Sequence, residues 1–358
     1  MLNNFCKAVV EIWKLQQKNL YAVGLIIRVL SRYSRANLND TINTMSEKKT
    51  SLIAGGAGFI GFHLCKNLLS RGEKVICFDN LTTGSAENIR MFEKTDSFLF
   101  LKGDIRKKLE LSEKIDFILN FACPASPKAY QKDPVGTAET NFIGTKNLLD
   151  LALEKKAVFF QASTSEIYGN PEKHPQKESY WGNVNPIGAR SCYDEGKRIA
   201  ETLCFDYQRT RGVKTKIARI FNTYGPHMRS DDGRAVSNFI VQALKNKPIT
   251  VYGDGSQTRS FCYIDDLVRG IIKFLNSKEN GPVNLGNPKE ITVLKLAEKI
   301  IAATGSQSKI ARLPLPEDDP ARRRPDISKA KKTLNWKPEK SLDEGLNKTV
   351  SYFRSLTL

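Results

Sequence analysis

Tyr193 and Lys197 stand four residues apart in Cys192-Tyr-Asp-Glu-Gly-Lys-Arg198. On a helix that spacing puts a phenol and an ammonium on one face, their Cβ atoms roughly 5–6 Å apart. A cation held there favours the phenolate, so the spacing predicts a tyrosine whose pKa falls from about 10 toward the working pH and which serves as general base. The same pair also occurs on solvated helix faces, so its meaning depends on its surroundings. Upstream, Ser163-Thr-Ser-Glu-Ile-Tyr-Gly169 closes an apolar run and offers Thr164, Ser165 and Glu166 beside such a base.

Those side chains need elements to position them. From Thr50 the chain reads strand, glycine turn, helix: apolar Ser51-Leu-Ile-Ala54, then Gly55-Gly-Ala-Gly58-Phe59-Ile60-Gly61, with helical periodicity over residues 59–69. Gly55 permits a tight turn, Gly58 lets the backbone approach a pyrophosphate, and Gly61 allows the helix to pack on the strand. The phosphates then meet free N–H groups and the positive end of the helix dipole. A second strand over 74–78 leads to Asp79 and Asn80, where the Asp79 carboxylate is placed to accept hydrogen bonds from a ribose diol. A carboxylate there repels a 2′-phosphate, so NAD is expected in preference to NADP.

The alternation continues through a strand at 98–102 that places Asp104 and Ile105 near an adenine, and another at 117–121 that runs into Ala122-Cys123-Pro124. Residues 134–155 read as one long helix with Val135, Phe142, Leu149 and Leu153 at helical spacing and Asn141 along it. A strand over 157–163 delivers Thr164, Ser165 and Glu166 at its C-terminal end, where open α/β sheets bind ligands. Repeated units of this size predict an α/β fold, a Rossmann-type doubly wound parallel sheet with right-handed crossovers. Beyond residue 214 the chain is richer in loops: strands are expected at 214–220 and 249–252, helices at 237–245, 265–275 and 293–303, and a glycine-rich loop at 253–260.

Composition narrows the class. The chain has 358 residues, and its seven cysteines are scattered without a Cys-x-x-Cys pair, which fits the reducing cytoplasm better than a disulfide framework or a zinc site. His63, His174 and His227 lie far apart, so no metal is expected. The formal charge of +18 is spread along the chain apart from Arg322-Arg-Arg324, and reads as a basic solvated surface with no nucleic-acid partner. Residues 20–27 form an apolar run of eight, against about 20 for a spanning helix, so no membrane span is expected. Residues 1–44 read either as a basic amphipathic extension or as the result of a start set ahead of Met45.

The motifs resemble those of the extended short-chain dehydrogenases/reductases, and more narrowly the UDP-glucuronate decarboxylases. The resemblance rests on the glycine loop, Pro124-Ala-Ser-Pro127, Ser163–Gly169, Asn185-Pro-Ile-Gly188, Cys192–Arg198, Arg219-Ile-Phe-Asn-Thr-Tyr-Gly-Pro226, Asp232-Gly-Arg-Ala-Val-Ser-Asn-Phe239, Gly255-Ser-Gln-Thr-Arg259 and Asp319-Pro-Ala-Arg-Arg-Arg-Pro-Asp326, in the family's order. It implies a smaller C-terminal α/β substrate-binding domain, an NAD-binding domain over 50–225 with a later contribution from about 260–287, a mainly nucleotide-sugar-binding region over 226–358, and an N-terminal extension, 1–49, outside the fold.

The implied reaction converts UDP-glucuronate to UDP-xylose by oxidation at C4, loss of CO2 and re-reduction at C4. Tyr193 and Lys197 serve the redox steps with Thr164, while Ser165, Glu166 and Arg259 handle the carboxylate and C5. Related dehydratases carry an Asp where Ser165 stands. The resemblance further implies cofactor contacts from Gly55, Gly58, Phe59, Ile60, Gly61, Asp79, Asn80, Asp104, Ile105, Ala122, Asn141, Tyr193 and Lys197. For the substrate it implies contacts from Pro124, Glu166, Asn222, Arg234, Tyr252, Gln257, Arg259 and Arg322, and it also implies a homodimer. A UDP-hexose 4-epimerase or nucleotide-sugar 4,6-dehydratase would share most of these residues. A non-catalytic NAD-sensing or RNA-binding protein would keep the fold without needing Tyr193.

Overall fold

The computed structural model describes residues 48–315 and 320–356. The apolar run at 20–27, the alternative start at Met45 and Asp319 of the last motif lie outside the described residues.

Seven parallel strands form the central sheet: β1 (Thr50–Ala54), β2 (Lys74–Asp79), β3 (Phe98–Lys102), β4 (Phe117–Asn120), β5 (Val158–Thr164), β6 (Thr215–Ile220) and β7 (Val283–Leu285). Their order is β3-β2-β1-β4-β5-β6-β7. β5 is buried at every position after Val158, the continuous apolar pattern of a strand covered on both faces. One face packs α1 (Phe59–Ser70) beside the helix Ile264–Leu275, with Phe62, Cys65 and Leu267 in that core. The other packs α2 (Pro134–Glu139), α3 (Thr145–Lys155) and α4 (Ser191–Arg211), which bury Leu148, Leu149, Leu151 and Cys204. The chain order reverses between β1 and β4, so their C-terminal ends open the crevice in which such sheets hold ligands.

Where one long helix is expected over 134–155, the structure has α2 and α3 joined by a π-turn at Thr140–Gly144. The Asn141 amide turns inward and donates to Thr137 O at 3.0 Å and Cys123 Sγ at 3.2 Å. A Cβ on Gly144 would stand 2.4 Å from Ile105 Cδ1. π-turns of this kind often mark functional positions. Of the four apolar residues at helical spacing, only Leu149 is buried; Val135, Phe142 and Leu153 are 70%, 46% and 41% exposed.

The later region folds around the helix Ala235–Leu244 and three two-stranded sheets, one of them pairing Thr223–Tyr224 with Cys262–Tyr263. Ile249–Tyr252 runs parallel to Ile310–Leu313, and Thr258–Ser260 antiparallel to Glu290–Thr292. The antiparallel pairing puts Arg259 on a strand instead of in the expected loop. Two further helices, Ser328–Leu334 and Leu342–Ser355, were not anticipated. The latter opens on a capping box that Ser341 and Glu344 spell in the sequence: Glu344 N donates to Ser341 Oγ at 3.2 Å, and Ser341 N to Glu344 Oε2 at 2.9 Å.

Candidate active site

The glycine turn after β1 leaves no space for side chains. Gly55 has φ +80°, and a Cβ there would meet Phe121 C at 2.6 Å; on Gly61 it would meet Gly55 O at 2.1 Å. The N-cap of α1, Gly58, brings no capping side chain, so the first N–H groups of this 12-residue helix face the crevice open to an anion. Phe59 and Ile60 pack partly against the core below. Asp79, 8% exposed, accepts from Ala57 N at 3.0 Å and Leu81 N at 2.8 Å. Burial pushes its pKa up, against those two bonds. Each carboxylate oxygen accepts one backbone N–H and keeps further lone pairs as acceptors.

Asp104 is gripped by Arg106, 2.8 Å from Nη2, and receives Asn80 Nδ2 at 3.4 Å; Ile105 is buried in the core against Gly144. Asn120 Oδ1 accepts from Ala122 N at 3.2 Å and fixes the turn ahead of Cys123 and Pro124. A glycine cradle, an uncapped helix N-terminus and a carboxylate at the end of β2 are the donor and acceptor set that a dinucleotide requires, so the residues fit NAD. Gly61→Ala is expected to yield folded protein that purifies without NAD, because the new methyl and Gly55 O cannot share the space; cofactor content of the purified protein measures it.

Tyr193 and Lys197 lie in the first turns of α4, both buried, with Lys197 Nζ 5.7 Å from the Tyr193 ring centroid. Lys197 Nζ donates to Ala162 O at 3.0 Å, which ties α4 to β5. The expectation that the lysine lowers the phenol pKa needs correction. Burial pushes the Tyr193 phenol well above its ordinary value, Cys123 and Glu166 add to the rise, and the hydrogen bond with Thr164 opposes it. Burial also pulls the Lys197 ammonium down. Desolvation dominates because both side chains are buried, Tyr193 6% and Lys197 5% exposed. Thr164, at the end of β5, also accepts from Glu166 N at 3.2 Å and starts the turn that carries Ser165 and Glu166.

Glu166 is held by guanidiniums. Arg190 Nη2 is 2.5 Å from Oε2 and Arg323 Nη1 2.8 Å from Oε1, and Arg323 Nη1 also donates to Ser165 Oγ at 3.0 Å. Burial alone would raise the Glu166 pKa; Arg323, Arg190 and then Arg259 reverse this and hold it well below the usual carboxylate range. Arg259 lies on its strand with Nη1 donating to Thr258 O at 2.8 Å.

Sequence reasoning passed over Arg190 and Arg323. Arg323 is the buried member of the arginine trio, 2% exposed, whereas the Arg322 side chain is 60% exposed and 4.0 Å from Glu290. Tyr130 was also missed; its ring stacks on Tyr193 at 5.1 Å, and its buried hydroxyl has no partner.

The remaining candidates surround this centre at different depths. Arg234 pairs with Asp232 at 2.5 Å, and that carboxylate raises the guanidinium pKa against the effect of burial. Asn222 is anchored by its carbonyl, which accepts from Cys262 N at 2.8 Å. Tyr252 is 43% exposed and its carbonyl accepts from Gln257 Nε2 at 2.8 Å. Among the described residues there is no cluster of His, Cys, Asp and Glu fit for a metal, and no helix long and apolar enough to cross a membrane.

A doubly wound sheet with a glycine cradle at its switch point and a Tyr-Lys-Thr constellation at the end of β5 defines an NAD-dependent enzyme of the extended short-chain dehydrogenase/reductase class. A family model described as GDP-mannose 4,6 dehydratase matches residues 52–349. The chain belongs to that family and, within it, to the UDP-glucuronic acid decarboxylases. It is 52% identical over 307 residues to UDP-glucuronic acid decarboxylase 1 of Arabidopsis thaliana, covering 86% of this chain and 70% of that one. It is 50% identical over 314 residues to UDP-glucuronic acid decarboxylase 1 of Danio rerio, covering 87% and 75%. Among solved structures, a variant of UDP-glucuronic acid 4-epimerase from Bacillus cereus, in complex with a fluorinated UDP-glucuronic acid and NAD, superposes with a TM-score of 0.77 at 31% identity, over 85% of this chain and 99% of that one.

Proposed function

We propose that the protein decarboxylates UDP-glucuronate to UDP-xylose with NAD that is regenerated in each turnover. One observation carries the reading: Ser165 stands where a dehydratase needs an acid, and three guanidiniums converge beside it on Glu166. A neutral hexose has no use for that concentration of positive charge, whereas a hexuronate carboxylate does.

Tyr193 takes the proton of the sugar 4-hydroxyl, and Thr164, bonded to the same phenol, holds the 4-oxygen between them. Lys197, fixed to Ala162 O, keeps its ammonium against the ring. Held by the glycine turn and Asp79, NAD would supply the acceptor and later the donor for the C4 hydride, and would add to Lys197 the positive charge that a phenolate requires. With C4 a ketone, the substrate is a β-keto acid, so the C5–C6 electron pair can pass onto the 4-oxygen as CO2 leaves. Arg259 orients the departing carboxylate, while Arg190 and Arg323 keep Glu166 ionised and in place. Asn222, Arg234, Tyr252, Gln257 and Arg322 hold the nucleotide diphosphate end.

Incubation with UDP-glucuronate should release CO2 and UDP-xylose in equal amounts. Conversion of UDP-glucose, or of UDP-glucuronate without CO2, would move the reading to a 4-epimerase or dehydratase. A homodimer is supported by Val135, Phe142 and Leu153 and by Ile199 on α4, a set of exposed apolar side chains on consecutive helices. Phe142→Glu is expected to shift the protein from dimer to monomer in sedimentation velocity. Six unpaired cysteines among the described residues support a reducing compartment, the cytosol.

A further inference from the structure

The reaction proposed above consumes a proton. Loss of CO2 from a carboxylate leaves an electron pair at C5, and C5 must gain one hydrogen ion from solvent before the hydride can return to C4. Per turnover the C5–C6 bond breaks, its electrons pass into the enolate, one C5–H bond forms, and one proton disappears from the medium. Glu166 is poorly suited to supply it, since Arg190 and Arg323 hold it ionised.

A cavity of about 260 Å³ lies against this centre, lined in part by Glu166, Arg190, Asp194, Asn183 and Asn185. The two asparagines are exposed, so the cavity runs from the surface to Glu166. Asp194 follows the general base on α4 and takes no part in the mechanism described above. It is 7% exposed, its Oδ1 has no hydrogen-bond partner, and its Oδ2 stands 4.0 Å from Arg190 Nε.

We propose that Asp194 is the proton-relay residue of this enzyme, through which the solvent proton destined for C5 enters by way of the cavity it shares with Glu166 and Arg190. The assignment rests on the decarboxylase reading. The two carboxylates compete for the same guanidiniums. Glu166 prevails through direct bonds to two of them, and Asp194 is left as the acid that carries the proton. Burial raises its pKa, Glu166 and Glu195 add to the rise, Arg190 and Arg323 oppose it, and the result is about 7. Tyr130, Tyr193 and Cys192 complete the titratable groups facing it. A carboxylic acid of that strength is partly protonated at neutral pH and is recharged readily from water.

The test uses the full-length, NAD-loaded protein and UDP-glucuronate in H2O and D2O. Wild-type product should carry one deuterium at C5, and its rate should fall as pH rises through neutrality, where Asp194 loses its proton. Asp194→Asn should lower kcat on the order of 10²-fold, leave KM and NAD content close to wild type, enlarge the solvent isotope effect and abolish the neutral limb of the pH profile. Asp194→Glu should restore part of the rate together with that limb. A folded Asp194→Asn protein that keeps the wild-type rate or the neutral limb overturns the proposal. So does a rate loss shared equally by Asp194→Glu with no change in isotope effect. Absence of CO2 from the wild type would instead remove the decarboxylase reading beneath it.

Discussion

Tyr193→Phe is expected to cut UDP-xylose formation by about 10²–10⁴-fold, the range of a positioned general acid–base group, while NAD stays bound. Removing the hydroxyl leaves the ring, its stacking on Tyr130 and the buried packing in place, so stability should change little. What goes is the single oxygen that accepts the C4 proton beside Thr164. Because burial holds the free phenol pKa high, the wild-type rate of C4 oxidation should climb with pH in the alkaline range as the phenolate fraction grows. In the Phe variant that climb should vanish. Hydride transfer to NAD in a single turnover reads both, and a variant within tenfold of wild type would mean that another group takes the proton.

Arg323→Ala is the second large effect. The guanidinium is 2% exposed and bonds Ser165, Glu166 and Gly169 O, the last at 2.7 Å. Removing one partner of a buried ion pair typically costs about 3–5 kcal/mol, because the other charge stays behind uncompensated. Urea denaturation at neutral pH should show a loss of that order, with decarboxylation abolished since Ser165 and Glu166 lose their common anchor. The sign with pH follows from Glu166. In the wild type its depressed pKa contributes stability above the ordinary glutamate value of about 4.3, and that contribution is lost only as pH falls through the lower folded value. In the variant a protonated Glu166 no longer misses its partner, so the deficit should narrow under acid. A loss below about 1 kcal/mol would mean that Arg190, 2.5 Å from the other oxygen, suffices to compensate Glu166.

The parts of the site within one local segment were legible in the sequence. The glycine loop, Asp79, the turn at Thr164 and the Tyr193–Lys197 face are each encoded by spacing along a single strand or helix, and the structure puts each on the expected element. The break at Thr140–Gly144 was not legible, because it depends on Cys123 receiving Asn141 and on Ile105 pressing against Gly144. β7 escaped notice as a strand since three residues are too few for an alternation to register.

The Arg323 contact spans 157 residues from Glu166, and no periodicity links two segments that far apart. Three adjacent arginines look alike in sequence, and only the pairing of Thr258–Ser260 with Glu290–Thr292 and the bridge between Thr258 and Arg322 decide which one turns inward. By itself the sequence determined the doubly wound scaffold, the glycine turn after β1 and the placing of Tyr193 and Lys197 on one helix, because each follows from local backbone geometry. The tertiary structure alone decided the charge balance at the carboxylate end. A buried group's ionisation depends on its distance to every neighbouring charge and on the water excluded around it, and both exist only once remote segments have packed together.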